Sequence, residues 1–232
     1  MTSAADLFAL QEIDLRRDAR RAVIADAESR LGETDELIEA REAVGDAEAA
    51  LQRLQRRQKE LDDELADLDA KLRPLEKRLY DGSVRNPKEL SDMQREFEAF
   101  KKRRGELDDA GLAMLESNER AAKAVRDARA DYEQAEAAWR KDQAGIAATK
   151  SQAEADMARL DSDREARTRG MDAGAIGLYE NLRAKHQGRA VATVVRETCQ
   201  ACRISLPSQM VQRMRAGATV QCTSCERILV AG

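Results

Sequence analysis

Cys199, Cys202, Cys222 and Cys225 are the only cysteines of the 232-residue chain, and they stand as two Cys-x2-Cys pairs with nineteen residues between them. In such an arrangement each pair closes a tight knuckle, here Gln200-Ala201 and Thr223-Ser224. The two knuckles then bring four sulfurs onto one tetrahedral ion, with metal–sulfur bonds of about 2.3 Å. The spacing predicts a single structural Zn2+ ligated by Cys199, Cys202, Cys222 and Cys225, the core of a zinc ribbon. Four thiolates fill the tetrahedron and leave no position for water or substrate, which argues against a catalytic zinc. Two disulfides are the competing use; metal ligation suits the two-residue spacing and a reducing cytoplasm better.

Little else in the chain promises covalent or acid–base chemistry. His186 is the only histidine, and a metal role would require it to displace a cysteine from a complete set. No nucleophile–base arrangement can be read from spacing, and adjacent carboxylates such as Asp62 and Asp63 read as solvated charge. No catalytic residue and no further cofactor site is assigned, and the chain is expected not to be an enzyme.

Around the cysteines the residues suggest a small β domain. Ala190–Val195 reads as a strand entering the first knuckle, Pro207–Ala216 as a short helical turn, and Ile228–Val230 as a strand leaving the second. Large apolar side chains are few, so metal must supply folding energy. This end is also basic. From Arg183 onward eight Lys or Arg oppose Glu197 and Glu226, a formal +6 that leaves −10 on residues 1–182 of a chain of net charge −4. Four thiolates and one divalent ion reduce the excess to about +4. Arg189, Arg196, Arg203, Arg213, Arg215 and Arg227 are the candidate contacts for a protein partner or for the phosphates of RNA or DNA. The lack of a base-stacking aromatic pattern there, and the acidic remainder, weigh against a long duplex.

What carries this head is a helical chain. Only 3% of residues are aromatic and 36% are charged, a mix suited to long helices with narrow apolar seams. Leu51, Leu54, Leu61, Leu65, Leu68, Leu72, Leu75 and Leu79 alternate by threes and fours, with Gln58 the one polar member. Leu37, Val44 and Ala47 extend the line, which drifts toward Leu10, Ile13, Ile24, Ala27 and Leu31 and implies a change of register or an Ala-rich zone. Tyr80-Asp81-Gly82-Ser83 ends this helix. Asn86-Pro87-Lys88-Glu89 starts the next, with Asn86 as N-cap, Pro87 at the first position and Glu89 placed for a capping box. Leu90, Met93, Phe97, Phe100, Arg104, Leu107, Met114, Asn118, Ala121, Val125, Tyr132, Trp139, Ile146 and Leu160 keep the seven-residue repeat.

Two seamed helices of about 75 to 80 residues joined by a short loop should fold back antiparallel. Counting from the loop centre places Leu72 opposite Met93, Leu68 opposite Phe97, Leu65 opposite Phe100, Leu51 opposite Met114, Ala47 opposite Asn118 and Val44 opposite Ala121. Gln58, Arg104 and Asn118 interrupt the seam; register control, or an arginine snorkelling past it, explains them more simply than a partner site. Tyr132 and Trp139 read as packing residues. The fold class is therefore mainly α: a long antiparallel coiled-coil hairpin over 1–170 (loop about 80–86), a connecting helix at 171–188 packing at the hairpin base, and a small C-terminal β zinc ribbon at 189–232. Gly170, Gly174, Gly177 and Gly188 around the connecting helix leave two possibilities, a head held at a defined angle or one that swivels. A monomer is allowed because the hairpin satisfies its own seam, and a dimer through Ala-rich flanks is allowed too. Met1–Leu10 lacks a basic-plus-apolar signal pattern, and no stretch reaches the roughly 20 apolar residues of a membrane span, so a cytoplasmic location without membrane insertion is expected.

Three stretches carry a resemblance: Arg78-Leu79-Tyr80-Asp81-Gly82-Ser83-Val84 with Asn86-Pro87-Lys88-Glu89-Leu90; Leu178-Tyr179-Glu180-Asn181-Leu182-Arg183; and the two cysteine pairs with Cys222-Thr223-Ser224-Cys225-Glu226-Arg227-Ile228-Leu229. With them the chain resembles the bacterial coiled-coil proteins that end in a C4-type zinc ribbon, a family first catalogued as a domain of unknown function. Members commonly carry Gly where this chain has Glu226 and an aromatic where it has Val230. The resemblance implies an adaptor or regulatory protein, with sigma-54 or flagellar and type III secretion components as the class of protein partner, and messenger RNA in one branch.

Overall fold

The computed structural model describes residues 2–232. Its elements in chain order are α1 (Ala4–Arg30), α2 (Asp35–Tyr80), α3 (Pro87–Thr168), α4 (Ala173–Lys185), β1 (Val191–Val195), β2 (Thr198–Cys199), α5 (Ser208–Arg215) and β3 (Ile228–Ala231). The expected class holds: long helices followed by a small mixed sheet that carries the four cysteines. The chain divides into two compact units, one formed by Glu33–Lys141, the other by the chain up to Gly32 together with Asp142–Gly232.

The first unit is the leucine-seamed pair. Leu61, Leu68, Leu72 and Leu107 are buried, with Leu65, Phe97, Phe100 and Met114 packed on them. The turn is built as its residues dictate. Gly82 takes a left-handed φ of 75°, which only glycine adopts without steric cost. Asp81 accepts from the Ser83 N–H at 2.9 Å, and Asn86 caps α3 by accepting from the Lys88 N–H at 3.0 Å. Glu89 does not close a capping box; it reaches across to Arg78 at 3.3 Å. Pro74 lies inside α2, where its missing N–H leaves one carbonyl of the preceding turn without its helical donor.

The register counted from the loop is corrected by the polar seam residues. Asn118, expected opposite Ala47, donates instead to the Gln58 carbonyl oxygen at 2.5 Å, about three helical turns nearer the loop than the counted partner. In the counted register each amide would have faced an aliphatic side chain. Pairing them gives both a partner, which outweighs a count made from the turn alone. Arg104 is exposed and bonds Asp69 at 2.9 Å, so it leaves the seam by snorkelling.

A second correction concerns the N-terminal half. The chain does not run as one helix to Leu79. It breaks between Arg30 and Asp35, where Gly32 has φ 136° and Thr34 caps α2 through the Leu37 N–H at 3.4 Å. Gly followed by a Thr-Asp-Glu start is a stop and a restart, which interrupts the helix although apolar residues lie on both sides.

In the second unit α1 runs beside the last stretch of α3. Ion pairs Arg17–Asp161, Arg20–Asp156 and Lys150–Glu28 cross between them at 2.6, 3.2 and 2.9 Å. Asp172 caps α4 through the Ala175 N–H at 2.9 Å. The sheet has the order β2-β1-β3, with β1 antiparallel to β2 and parallel to β3.

Candidate metal centre

The four cysteines meet as their spacing demands. All four sulfurs lie within 4.8 Å of one another, and across the knuckles Cys199 and Cys225 stand 3.9 Å apart and Cys202 and Cys222 3.7 Å apart. A tetrahedron with metal–sulfur bonds of about 2.3 Å has edges of about 3.8 Å, so the donor set fits one zinc-sized ion. Cys199 and Cys222 are buried, whereas Cys202 and Cys225 are half-exposed. Burial pushes the Cys199 thiol up to about 12 and raises that of Cys222, while the backbone N–H of Ile204 draws Cys202 down to about 7. Two buried sulfurs reluctant to ionise are what a divalent cation remedies, because it holds the thiolate directly.

The knuckles are built alike. In the first, the Cys199 N–H donates to Ile204 and the Arg203 N–H to Cys199, at 3.0 and 2.8 Å. In the second, the Cys222 N–H donates to Arg227 and the Glu226 N–H to Cys222, both at 2.9 Å. Each turn closes through a residue with φ 58°, Arg203 and Glu226, in a region that disfavours side chains other than glycine's. β1 ties the knuckles together: Val194 pairs with Cys199, and Val191 with Ile228 just past Cys225. Ala192, Val194, Leu206, Val211, Met214, Val220 and Leu229 pack around the sulfurs.

The head is held at the joint. Leu7 and Leu10 of α1, Tyr179 and Leu182 of α4, and Ala190, Val191 and Ile228 of the ribbon form one buried cluster. Gly188 has φ 90°, and a Cβ there would stand 3.2 Å from Leu15, so the chain leaves α4 tight against α1. The ribbon packs on α1 and α4 through this cluster.

Two polar residues that the spacing did not single out are central here. Asp14 has no solvent exposure. It accepts from Arg17 at 2.9 Å, Arg164 at 2.8 Å and the Tyr179 hydroxyl at 2.9 Å, and Arg183 stands 4.0 Å away. Arg164 continues the network to Glu180, and Arg183 to Asp18 at 2.6 Å. Burial alone would raise the Asp14 pKa; the hydrogen bonds from Arg17, Tyr179 and Arg164 overcome it and hold the carboxyl below its ordinary 3.8. Gln11, 4% exposed, takes Val191 as a strand would: it donates to the Val191 carbonyl at 3.1 Å and accepts from the Val191 N–H at 2.7 Å. Leu7, Leu10, Gln11 and Asp14 recur at threes and fours, so polar residues inside an apolar stripe were the available signal.

The candidate arginines belong to different segments of the ribbon. Arg227 is partly committed, its Nε donating to the Arg189 carbonyl at 2.8 Å. Arg196 and Arg203 flank β2, and Arg213 and Arg215 lie on α5; Arg189, Arg196, Arg203, Arg213 and Arg215 are exposed. His186 caps the C-terminal end of α4 and is not among the four clustered cysteines.

A seamed helical hairpin followed by a four-cysteine ribbon defines the class of protein. Residues 10–187 match the CT398-like coiled coil hairpin domain, and residues 198–229 match the C4-type zinc ribbon domain. The chain belongs to the CT398-like family. An uncharacterized protein of Mycobacterium tuberculosis, Rv2229c, is 28% identical over 189 residues, which span 74% of this chain and 73% of that protein. Among solved structures, CT398 from Chlamydia trachomatis shares the fold with a TM-score of 0.76 at 19% identity, over 99% of this chain and 97% of that one. A structure from Mycobacterium smegmatis does so with a TM-score of 0.66 at 21% identity, over 99% and 100% of the two chains.

Proposed function

We propose that the chain is a non-enzymatic, zinc-dependent adaptor that binds a protein partner, with sigma-54 or a flagellar or type III secretion component as the partner class that the family resemblance implies. The carrying observation is the closed donor set: four sulfurs fill a tetrahedron, and buried side chains fix that tetrahedron to a helical base. Such a centre shapes a surface and offers no coordination position for substrate. No helix of the described residues is long and apolar enough to cross a membrane, which agrees with an adaptor working in the cytoplasm.

A second reading, RNA or DNA binding through the ribbon, is favoured by one observation. Arg196, Arg203, Arg213 and Arg215 are exposed and make no ion pair with a described residue. One experiment separates the two. Labelled RNA and DNA oligonucleotides and an immobilised sigma-54 are each presented to the zinc-loaded and the chelated protein, at low and moderate salt. Zinc-dependent capture by the protein partner, without oligonucleotide binding, supports the adaptor. Oligonucleotide binding that falls steeply with salt moves the function to nucleic acid.

A further inference from the structure

We infer that Gln11 is a positioning residue for the metal centre, and that through it the docking of helix α1 and the loading of the four-cysteine site are one linked equilibrium. The inference rests on the metal reading of the cysteines and goes beyond the adaptor role. It starts from a pairing that spans nearly the whole chain: the Gln11 amide and the Val191 peptide exchange two hydrogen bonds within a buried environment. An amide side chain used in this way satisfies backbone groups at the start of β1 that no neighbouring strand satisfies.

The route from Gln11 to the sulfurs is short and continuous. β1 alone pairs with both other strands, meeting β2 at Cys199 and β3 at Ile228. The Ile228 N–H donates to Ala190 at 2.9 Å, next to the residue that Gln11 holds. Beneath these bonds Leu7 and Leu10 pack in one cluster with Val191 and Ile228. The ribbon face at Val191 and Ile228 is therefore covered by α1, and Leu7 and Leu10 complete their burial, begun on Tyr179 and Leu182 of α4, against that face. Metal binds the formed ribbon, and by linkage whatever stabilises that state raises metal affinity; loading must in turn tighten α1 by the same factor.

The test uses the full-length protein with Zn2+ and with Co2+ as a spectroscopic probe. Wild-type titration to one ion per chain checks the metal reading first, and absence of metal binding would remove that reading together with this inference. Gln11→Met keeps the side-chain volume and leaves both Val191 groups without partners. It should speed transfer of zinc to a chelator about tenfold relative to wild type. Leu61→Ala, a cavity in the hairpin, lowers stability elsewhere and should leave the transfer rate unchanged. Should Gln11→Met fold poorly, hydrogen exchange on the wild type decides: chelation should expose amides over residues 5–14 while those over 45–75 keep their protection. Equal zinc transfer in Gln11→Met and wild type, or α1 protection indifferent to chelation, would overturn the linkage with the metal site itself intact.

Discussion

The hairpin unit and the ribbon-bearing unit solve the same problem by different means. Between Glu33 and Lys141 the helices are joined by a stripe of leucines, and the ion pairs that form lie at the surface, as in Arg129–Glu48 and Arg103–Glu64. Exposed pairs of this kind contribute little each. Stability there is spread over many similar contacts, none decisive. In the ribbon-bearing unit it is concentrated in three places: four sulfurs, one carboxylate without exposure, and one glutamine bonded to a strand. The difference teaches where single substitutions should matter. A repetitive seam averages out damage, whereas a joint built from unlike parts depends on each.

The largest effect should follow loss of the metal. Structural zinc contributes on the order of 10 kcal/mol or more to small domains of this kind. Cys199→Ser, or chelation of the wild type, should collapse the dispersed NMR resonances of residues 190–231 while the far-UV helix signal persists. A ribbon that keeps its resonances without metal would show that Val194, Val211, Met214 and Leu229 suffice as a core, and would erase the contrast between the units.

Next comes Asp14→Ala, which removes the buried carboxylate shared by Arg17 and Arg164 and leaves the Tyr179 hydroxyl without its acceptor, although the arginines keep Asp161, Glu180 and Asp18. Breaking a buried ionic cluster from one side costs about 3–5 kcal/mol. Thermal unfolding followed by hydrogen exchange in α4 should register it, while the amides of the leucine seam stay protected. The pH dependence has a defined sign. Asp14 is held below 3.8 in the folded chain, so its contribution is complete above the ordinary carboxylate range and disappears as pH falls through its folded value. The gap in melting temperature between wild type and Asp14→Asn should be widest above pH 5 and close below pH 3.8. A gap independent of pH would mean that packing, not charge, makes Asp14 matter.

In the hairpin, the sharpest single change available is at the amide pair. Asn118→Leu strands Gln58 in the seam and should cost about 1–3 kcal/mol in denaturant unfolding. Replacing both residues by Leu should recover most of it, because no orphan remains. The price is register: the double variant should gain alternative alignments, visible as broadened distances between spin labels at residues 54 and 125. Recovery without broadening would assign register to the turn and not to the amides.

How much of this could be seen in the sequence follows the same division. The leucines from Leu51 to Leu79, the Asn86-Pro87 start and the two cysteine pairs are local patterns, and local patterns report on their own element. The alignment of the helices was miscounted because contacts such as that between Gln58 and Asn118 join two helices, and the periodicity of neither helix contains the other. The break before Asp35 was signalled by Gly32 and Thr34 but overshadowed by apolar residues on both sides. Gln11 and Asp14 were hidden for a stronger reason: their partners Val191 and Tyr179 lie in the far part of the chain, and nothing near either residue announces the pairing. Of the candidate metal centre the four clustered cysteines were legible, while the helix that packs beside it was not.

The smallest predicted effects concern the knuckles, and they compare two turns inside one domain. Arg203 and Glu226 share φ 58°, where a side chain costs about 1 kcal/mol more than glycine, partly offset by glycine's greater freedom when unfolded. Arg203 makes no ion pair with a described residue, whereas Glu226 stands 3.8 Å from Lys185, with both side chains largely exposed. Arg203→Gly should therefore stabilise the loaded ribbon by up to about 1 kcal/mol, and Glu226→Gly by less, since it also gives up a weak surface pair. Chelator competition at several salt concentrations would resolve the order: added salt should bring Glu226→Gly toward Arg203→Gly as the Lys185 pair is screened. If both glycine variants release metal faster than wild type, the side chains hold their turns through contacts that outweigh the backbone strain, and the likeness of the two knuckles is one of geometry without likeness of energy.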